Sequence, residues 1–166
     1  MTELQRLNDM LDKVGRLDGI NGLRLSDEGT ATLRYGGERE VFFEYRRNTA
    51  TLFIYTSLLY LPADQTRRAQ FMYAMLNANF LKLNTWRGEL AIDAKSEEAI
   101  YQIAMDVATL TVESLDTHIG DLLRQSAECR IALQSGKLAS GSTPPSVEST
   151  NSRFQRSSFF NRNSVI

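Results

Sequence analysis

The spacing of the apolar residues changes several times along this chain, and this change constrains the fold more than any other feature. Over residues 3–17 the apolar side chains recur at steps of three and four, which places them on one face of a helix. Over residues 22–57 they alternate with polar residues, as in strands that bury one face. The helical spacing returns over residues 111–133, and a largely apolar segment over residues 64–82 follows a helix N-cap signal at Asp64. This order predicts an α+β protein with helices packed on an antiparallel sheet.

Residues 22–57 contain four short alternating runs, which cover residues 23–25, 31–35, 41–45 and 52–56. Turn-forming segments, such as Asp27-Glu28-Gly29 and Gly36-Gly37, separate these runs. The pattern predicts an antiparallel meander with short loops. Because the last two runs are apolar on both sides, we expect both faces of the sheet to be covered there.

The segment from residue 88 to residue 108 predicts two further strands. Residues 88–94 alternate, and the polar residues 95–98 form a turn. The apolar residues of 99–108 fit either a strand or a helix, and the preceding turn favours a hairpin. Thr111 is placed to cap the final helix, with Glu113 in its first turn. The prediction is a twisted sheet of five or six strands with three helices, in the order α-β-β-β-α-β-β-α.

The central helix is the unusual element of this prediction. Asp64 is a good N-cap, and we expect the helix to run to about Lys82. Between residues 71 and 81 almost every side chain is apolar, so the helix has hardly any polar face. One side of such a helix can cover the sheet, and the other side requires a second partner.

The composition changes after Gly136. The tail, residues 136–166, is rich in serine, asparagine and arginine, and four basic residues against Glu148 give it a net charge of +3. Residues 1–135 are expected to form one α+β domain with a net charge of −4, and the tail to be disordered. Basic and aromatic residues alternate between Arg153 and Arg162. Three interpretations stay open for them: a solvated tail, a segment that docks on a protein, or a weak site for nucleic acid or lipid.

Few residues could support catalysis or metal binding. His118 and Cys129 are the only histidine and the only cysteine, which is too few ligands for an ordinary zinc site. We expect His118 to be a partly buried structural residue and Cys129 a buried apolar one. The glycines do not match a nucleotide-binding motif. The sequence therefore predicts no catalytic site, no metal and no cofactor.

The global charge and hydropathy also exclude some classes of partner. A net charge of −1 provides no strong field for nucleic acid or an anionic membrane. No apolar run approaches the ~20 residues needed to cross a bilayer, and the polar start Met1-Thr-Glu-Leu is unlike a signal peptide. A cytoplasmic location is expected, with neither nucleic acid nor membrane insertion.

Several short segments resemble the Tir-chaperone (CesT-like) family of class I type III secretion chaperones. They are Leu23-Arg-Leu25, Tyr60-Leu-Pro62, Met75-Leu-Asn-Ala-Asn79, Gly88-Glu-Leu-Ala-Ile-Asp93 and the closing helix over 111–133. The resemblance lies in their order and spacing, and it spans residues 1–135.

The resemblance implies a homodimer that binds the extended, non-globular N-terminal segment of secreted effector proteins. Such a protein keeps the segment soluble and secretion-competent without ATP, is not an enzyme, and has the secretion ATPase as a further partner. The alternative function is a regulatory or scaffold protein of the same fold without a secreted client.

Two sets of residues are predicted to form the interaction surfaces. The dimer interface is assigned to the central helix, through Phe71, Met72, Met75, Leu76 and Asn79. The client-binding region is assigned to the first helix and the early strands, through Leu4, Leu7, Leu11, Leu23, Leu25, Leu33 and Phe43.

Overall fold

A computed structural model describes residues 1–35, 39–80 and 87–136. The elements are α1 (Glu3–Leu17), β1 (Thr30–Tyr35), β2 (Arg39–Arg46), β3 (Thr51–Tyr60), α2 (Gln65–Asn79), β4 (Glu89–Asp93), β5 (Glu98–Asp106) and α3 (Val112–Gln134). These ranges therefore contain three helices and five strands, which confirms the predicted α+β class and element order. The tail beyond Gly136 lies outside the described residues.

The five strands form one sheet in the order β1-β2-β3-β5-β4, and every neighbouring pair is antiparallel. The hairpin of β4 and β5 pairs with β3 through β5. Strands β2, β3 and β5 are therefore interior strands, and β1 and β4 are the edges of the sheet. The strand predicted for residues 99–108 is confirmed as β5, and it forms a hairpin with β4. The polar turn at residues 94–97 leads directly into β5, which pairs with β4 from Asp93 opposite Glu98 to Glu89 opposite Gln102.

One face of the sheet forms the core. Alternate side chains of the strands are buried there, among them Phe43, Ile54, Tyr101 and Ile103. Helix α3 packs on β3 and β5, and α1 packs against α3. The predicted apolar stripe of α3 is buried, from Leu115 through Ile119, Leu122 and Cys129 to Leu133.

The opposite face of β2 and β3 is only half buried in this chain. Phe42 and Tyr55 stack across the two strands, with ring centroids 5.2 Å apart. The Arg46 guanidinium lies 5.0 Å from the centroid of the Phe53 ring. These contacts partly shield the aromatic rings from water. The expectation that both faces are covered is therefore met only in part.

Residues 23–25, predicted as a strand, are not one. The Asn8 side chain on α1 accepts a hydrogen bond from the Leu25 N–H at 2.8 Å and donates to the Leu25 carbonyl at 3.4 Å. The backbone groups that a neighbouring strand would use are thus bonded to a side chain. Leu23 and Leu25 still alternate with exposed residues and are buried in the core. Buried and exposed residues thus alternate in this segment as predicted, but its backbone hydrogen bonds at Leu25 go to the Asn8 side chain and not to a neighbouring strand.

The helix ends follow the local signals in the sequence. The Asp64 side chain accepts from the Arg67 N–H at 2.8 Å, and Thr111 and Ser114 form a reciprocal capping box at the start of α3. Helix α2 ends at Asn79, before the predicted Lys82, which lies outside the described residues. Gly136 takes a φ of +66° just after α3, a backbone conformation that suits glycine at a helix end.

Burial of Cys129 leads to a testable prediction about pH. Burial, with a smaller contribution from Glu128, raises the pKa of the Cys129 thiol from 9.0 to about 11. The stabilisation from keeping this thiol protonated is fully present below about pH 9 and is lost as the pH rises through about 11. We expect a thiol reagent at pH 8 to label Cys129 only after the protein unfolds. Fast labelling of the folded protein, compared with a urea-denatured control, would contradict this.

Candidate functional site

Helix α2 carries a stripe of uncovered apolar side chains. Eight large apolar side chains are exposed in the described ranges, and four of them lie on α2 or at its end: Met72, Tyr73, Leu76 and Phe80. We call these four the α2 surface. Met72, Leu76 and Phe80 recur every four residues, which is the spacing of neighbours on one side of a helix. Exposed apolar residues in such a group mark an interaction site.

The other side of α2 is packed on its own chain. Ala74, Met75 and Ala78 are buried there. The Asn79 amide donates to the Leu90 carbonyl and accepts from the Leu90 N–H, both at 2.8 Å. These two bonds fasten the end of α2 to β4 and occupy the outer edge of that strand at Leu90.

The residues predicted to form the dimer interface differ in their exposure in the structure. Met72 and Leu76 are exposed, and Phe71 is half buried. Met75 is only 3% exposed and belongs to the core of the single chain. Asn79 has its side-chain amide engaged by β4. The prediction thus needs correction at Met75, while Asn79 remains half exposed. The predicted set did not include Tyr73 and Phe80, which are also exposed on α2 or at its end, although the four-residue spacing of Phe80 from Leu76 was a usable signal.

The predicted client-binding set needs a larger correction. Six of its members are buried core residues: Leu7, Leu11, Leu23, Leu25, Leu33 and Phe43. A side chain in the core has no surface to offer a bound polypeptide. Only Leu4 stays partly exposed.

Leu4 lines a small pocket at the start of α1, with a volume of about 300 Å³. Thr2, Glu3, Tyr45 and Arg47 complete its lining. The Tyr45 hydroxyl donates a hydrogen bond to the Glu3 carboxylate, and this bond raises the pKa of Tyr45. The pocket thus combines one leucine with a tyrosine ring, a carboxylate and a guanidinium.

The two edges of the sheet differ. Asn79 occupies the β4 edge at Leu90. Within the described residues, β1 pairs only with β2, and no other strand lies against its outer side. An unpaired strand edge carries backbone donors and acceptors that can bind an extended peptide. At Thr30 the outer side is already occupied, because the Ser26 N–H donates to the Thr30 carbonyl at 2.8 Å and the Thr30 N–H donates to the Ser26 hydroxyl at 3.4 Å. The remainder of the β1 edge, residues 31–35, is therefore the candidate for strand addition.

In the described part of the chain, the acidic, histidine and cysteine residues do not assemble into a metal site. Across residues 1–35, 39–80 and 87–136, no three of them come close enough to hold an ion. His118 is half buried, and its Nδ1 lies against the Ser114 carbonyl one turn earlier in α3. This placement agrees with the structural role expected for the histidine.

None of the helices in the described ranges has both the length and the apolar content to cross a bilayer.

Three helices and a five-stranded antiparallel sheet in this order define an α+β domain with helices packed on the sheet. The chain belongs to the Tir chaperone protein (CesT) family, whose family model matches residues 9–130. No curated protein sequence matches the chain.

Solved structures show the same fold at low sequence identity. A chain of the ExsC–ExsE complex matches with a TM-score of 0.69 and 16% identity, covering 80% of this chain and 97% of that one. A chain of the HopA1–SchA chaperone–effector complex matches with a TM-score of 0.60 and 18% identity, covering 76% and 94%. A chain of the ExoU–SpcU complex from the type III secretion system of Pseudomonas aeruginosa matches with a TM-score of 0.55 and 16% identity, covering 74% and 93%.

Proposed function

We propose that this protein is a cytoplasmic type III secretion chaperone. It binds the extended N-terminal segment of secreted effector proteins and keeps it soluble and secretion-competent, without ATP or catalysis. The family match over residues 9–130 carries this proposal. Among the similar folds are a chaperone–effector complex and a complex from a type III secretion system, which supports effector binding over the regulatory alternative.

The proposed active form is a homodimer joined through the α2 surface. Burial of one large apolar side chain contributes roughly 1.5–3 kcal/mol, and a two-fold interface uses each residue twice. A second copy is the simplest partner for a stripe that its own chain leaves exposed. Phe71, half buried beside it, is proposed as a peripheral contact.

The proposed client path runs along the β1 edge and the Leu4 pocket. The β1 edge offers main-chain hydrogen bonds to an extended segment, while the pocket accepts one of its apolar side chains. Both features suit a non-globular client, because an extended chain exposes its backbone and its side chains together. The secretion ATPase is proposed as a later partner of the loaded complex.

Calorimetry with a client segment tests this function. The client is first identified by mass spectrometry of the proteins that co-purify from the native cell. We expect its N-terminal segment to bind in buffer without ATP or metal, with a negative heat-capacity change. A requirement for ATP would contradict the proposal, and so would binding that depends on a folded client.

Leu4→Asp is the matching variant. It should weaken binding about tenfold or more, which corresponds to ~1.4 kcal/mol, and leave the dimer intact. The control is Ile131→Asp, since Ile131 is 65% exposed on α3 and lies outside the proposed path.

A further inference from the structure

Strands β2 and β3 separate at one end of the sheet. Their ladder extends only to the pair Phe42 and Tyr55, whereas β2 begins at Arg39 and β3 continues to Tyr60. Beyond the last pair, the Glu40 carbonyl accepts a hydrogen bond from the Thr56 hydroxyl at 2.7 Å. A side chain thus stands where the backbone ladder would continue. The separation opens a cleft of about 470 Å³ between the two strands and α3.

Arg39 and Arg130 line this cleft from different elements, one from β2 and the other from α3. Arg39 Nη1 donates to the Leu123 carbonyl at 3.2 Å, and Arg130 Nη2 donates to the Ser57 carbonyl at 3.4 Å. Within the described ranges, neither guanidinium forms an ion pair with a carboxylate. A guanidinium has five N–H donors, so each arginine retains donors for a ligand.

The other charges in the cleft leave a positive balance. Arg34 and Glu40 form an ion pair at 2.8 Å and largely compensate each other. Glu98 is the remaining carboxylate of the lining and opposes Arg39 and Arg130. The net charge of the lining is therefore +1, on a domain whose charge is negative. An anion is the group that this cleft favours, and Glu98 limits the affinity.

Apolar atoms and hydroxyl groups form the rest of the wall. Phe42, Leu58 and Ala127 supply the apolar part, and Thr56, Ser57 and Ser126 supply the hydroxyl groups. A volume in the range of about 300–1,000 Å³ is typical of sites that enclose a ligand of several groups. A lone inorganic anion would leave most of this wall uncovered.

We propose that the cleft binds an acidic side chain of an extended polypeptide, with its carboxylate between Arg39 and Arg130 and a neighbouring apolar side chain against Leu58 and Ala127. Arginine suits this task because its planar fork can hold a carboxylate with two hydrogen bonds. The cleft lies beyond the last pair of the β2–β3 ladder, Phe42 and Tyr55. The inference rests on the proposed function, since the polypeptide is the client.

Three short peptides provide the test. Each is acetylated and amidated, with the sequence Gly-Thr-Val-X-Val-Thr-Gly, and X is Asp, Asn or Lys. They are titrated into the full-length ¹⁵N-labelled protein, and the arginine Nε–H signals are followed by NMR. We expect the Asp peptide to shift the signals of Arg39 and Arg130, and to bind at least tenfold more tightly than the Asn and Lys peptides. Equal binding of the Asp and Asn peptides would overturn the proposal.

Substitutions in the cleft sharpen the result. Arg39→Gln combined with Arg130→Gln should weaken the Asp peptide at least tenfold, and Glu98→Gln should tighten it severalfold. Arg24→Gln is the control, because Arg24 is exposed and lies outside the cleft. If the double variant does not fold, the comparison of the Asp and Asn peptides decides alone. If acetate at the same concentration shifts both arginines as strongly as the Asp peptide, the site is one for small anions and the polypeptide proposal fails.

The outcome for the cleft is separable from the outcome for the chaperone. If the client segment binds the double variant with unchanged affinity, the cleft proposal is wrong and the proposed function stands. If no client segment binds the wild-type protein, the proposed function fails, whatever the peptides do.

Discussion

Leu76→Glu is expected to convert the proposed dimer into a folded monomer. Leu76 is 71% exposed in the single chain and lies between Met72 and Phe80 on the α2 surface. A two-fold interface would bury two introduced carboxylates without partners, which is strongly unfavourable. We expect the dissociation constant to rise at least a thousandfold, equivalent to about 4 kcal/mol. Light scattering measures the mass, and circular dichroism shows whether the fold is retained.

The neighbouring substitution Met75→Glu should behave differently. Met75 is 3% exposed, so its replacement places a charge in the core of the chain itself. This variant should unfold or aggregate. Ile131→Glu, on a similarly exposed site outside α2, should remain a dimer. A stable Leu76→Glu dimer would exclude the α2 surface as the interface, and a monomeric wild-type protein would exclude the homodimer.

Gly88→Ala is expected to destabilise the folded domain severely. A Cβ atom at residue 88 would lie 2.2 Å from Cζ and 2.4 Å from the hydroxyl oxygen of Tyr101. Tyr101 is fully buried, donates a hydrogen bond to the Gln125 side chain, and accepts one from the Gly88 N–H at 3.0 Å. The Tyr101 ring cannot move without breaking these hydrogen bonds. The destabilisation from overpacking is therefore added to the destabilisation from the lost hydrogen bonds. We expect a loss of about 3 kcal/mol or more, and a melting temperature lower by roughly 10 °C.

The control for this change is Gly120→Ala. Gly120 lies inside α3, and a Cβ atom added to it would meet no heavy atom within 4 Å beyond the helix's own backbone. An alanine there should raise the stability by about 0.5–1 kcal/mol, because glycine weakens a helix interior. Thermal and urea unfolding of both variants measure the difference. A Gly88→Ala protein that melts like the wild type would show that Tyr101 can relocate at little cost.

Local signals determined most of the secondary structure. Helices α1 and α3 follow from the spacing of their apolar residues, and the caps at Asp64 and Thr111 mark where α2 and α3 begin, because these interactions span only a few residues along the chain. The alternation of residues in β2, β3 and β5 also indicated strands, but the apolar residues on both sides of β2 and β3 did not show which face forms the core. The order of short segments such as Met75-Leu-Asn-Ala-Asn79 was enough to indicate the family.

Only the tertiary structure decided which apolar residues are exposed. Met75 and Leu76 are adjacent and both apolar, yet one is in the core and the other in solvent. Their difference depends on how α2 is rotated about its axis, and Asn79 sets part of that orientation through Leu90. The same limit applies to Leu7 and Leu11, since periodicity identifies an apolar face but not what lies against it. The cleft between β2 and β3 brings Arg39 and Arg130 together across 91 positions of sequence, and no local pattern indicates where two strands will separate.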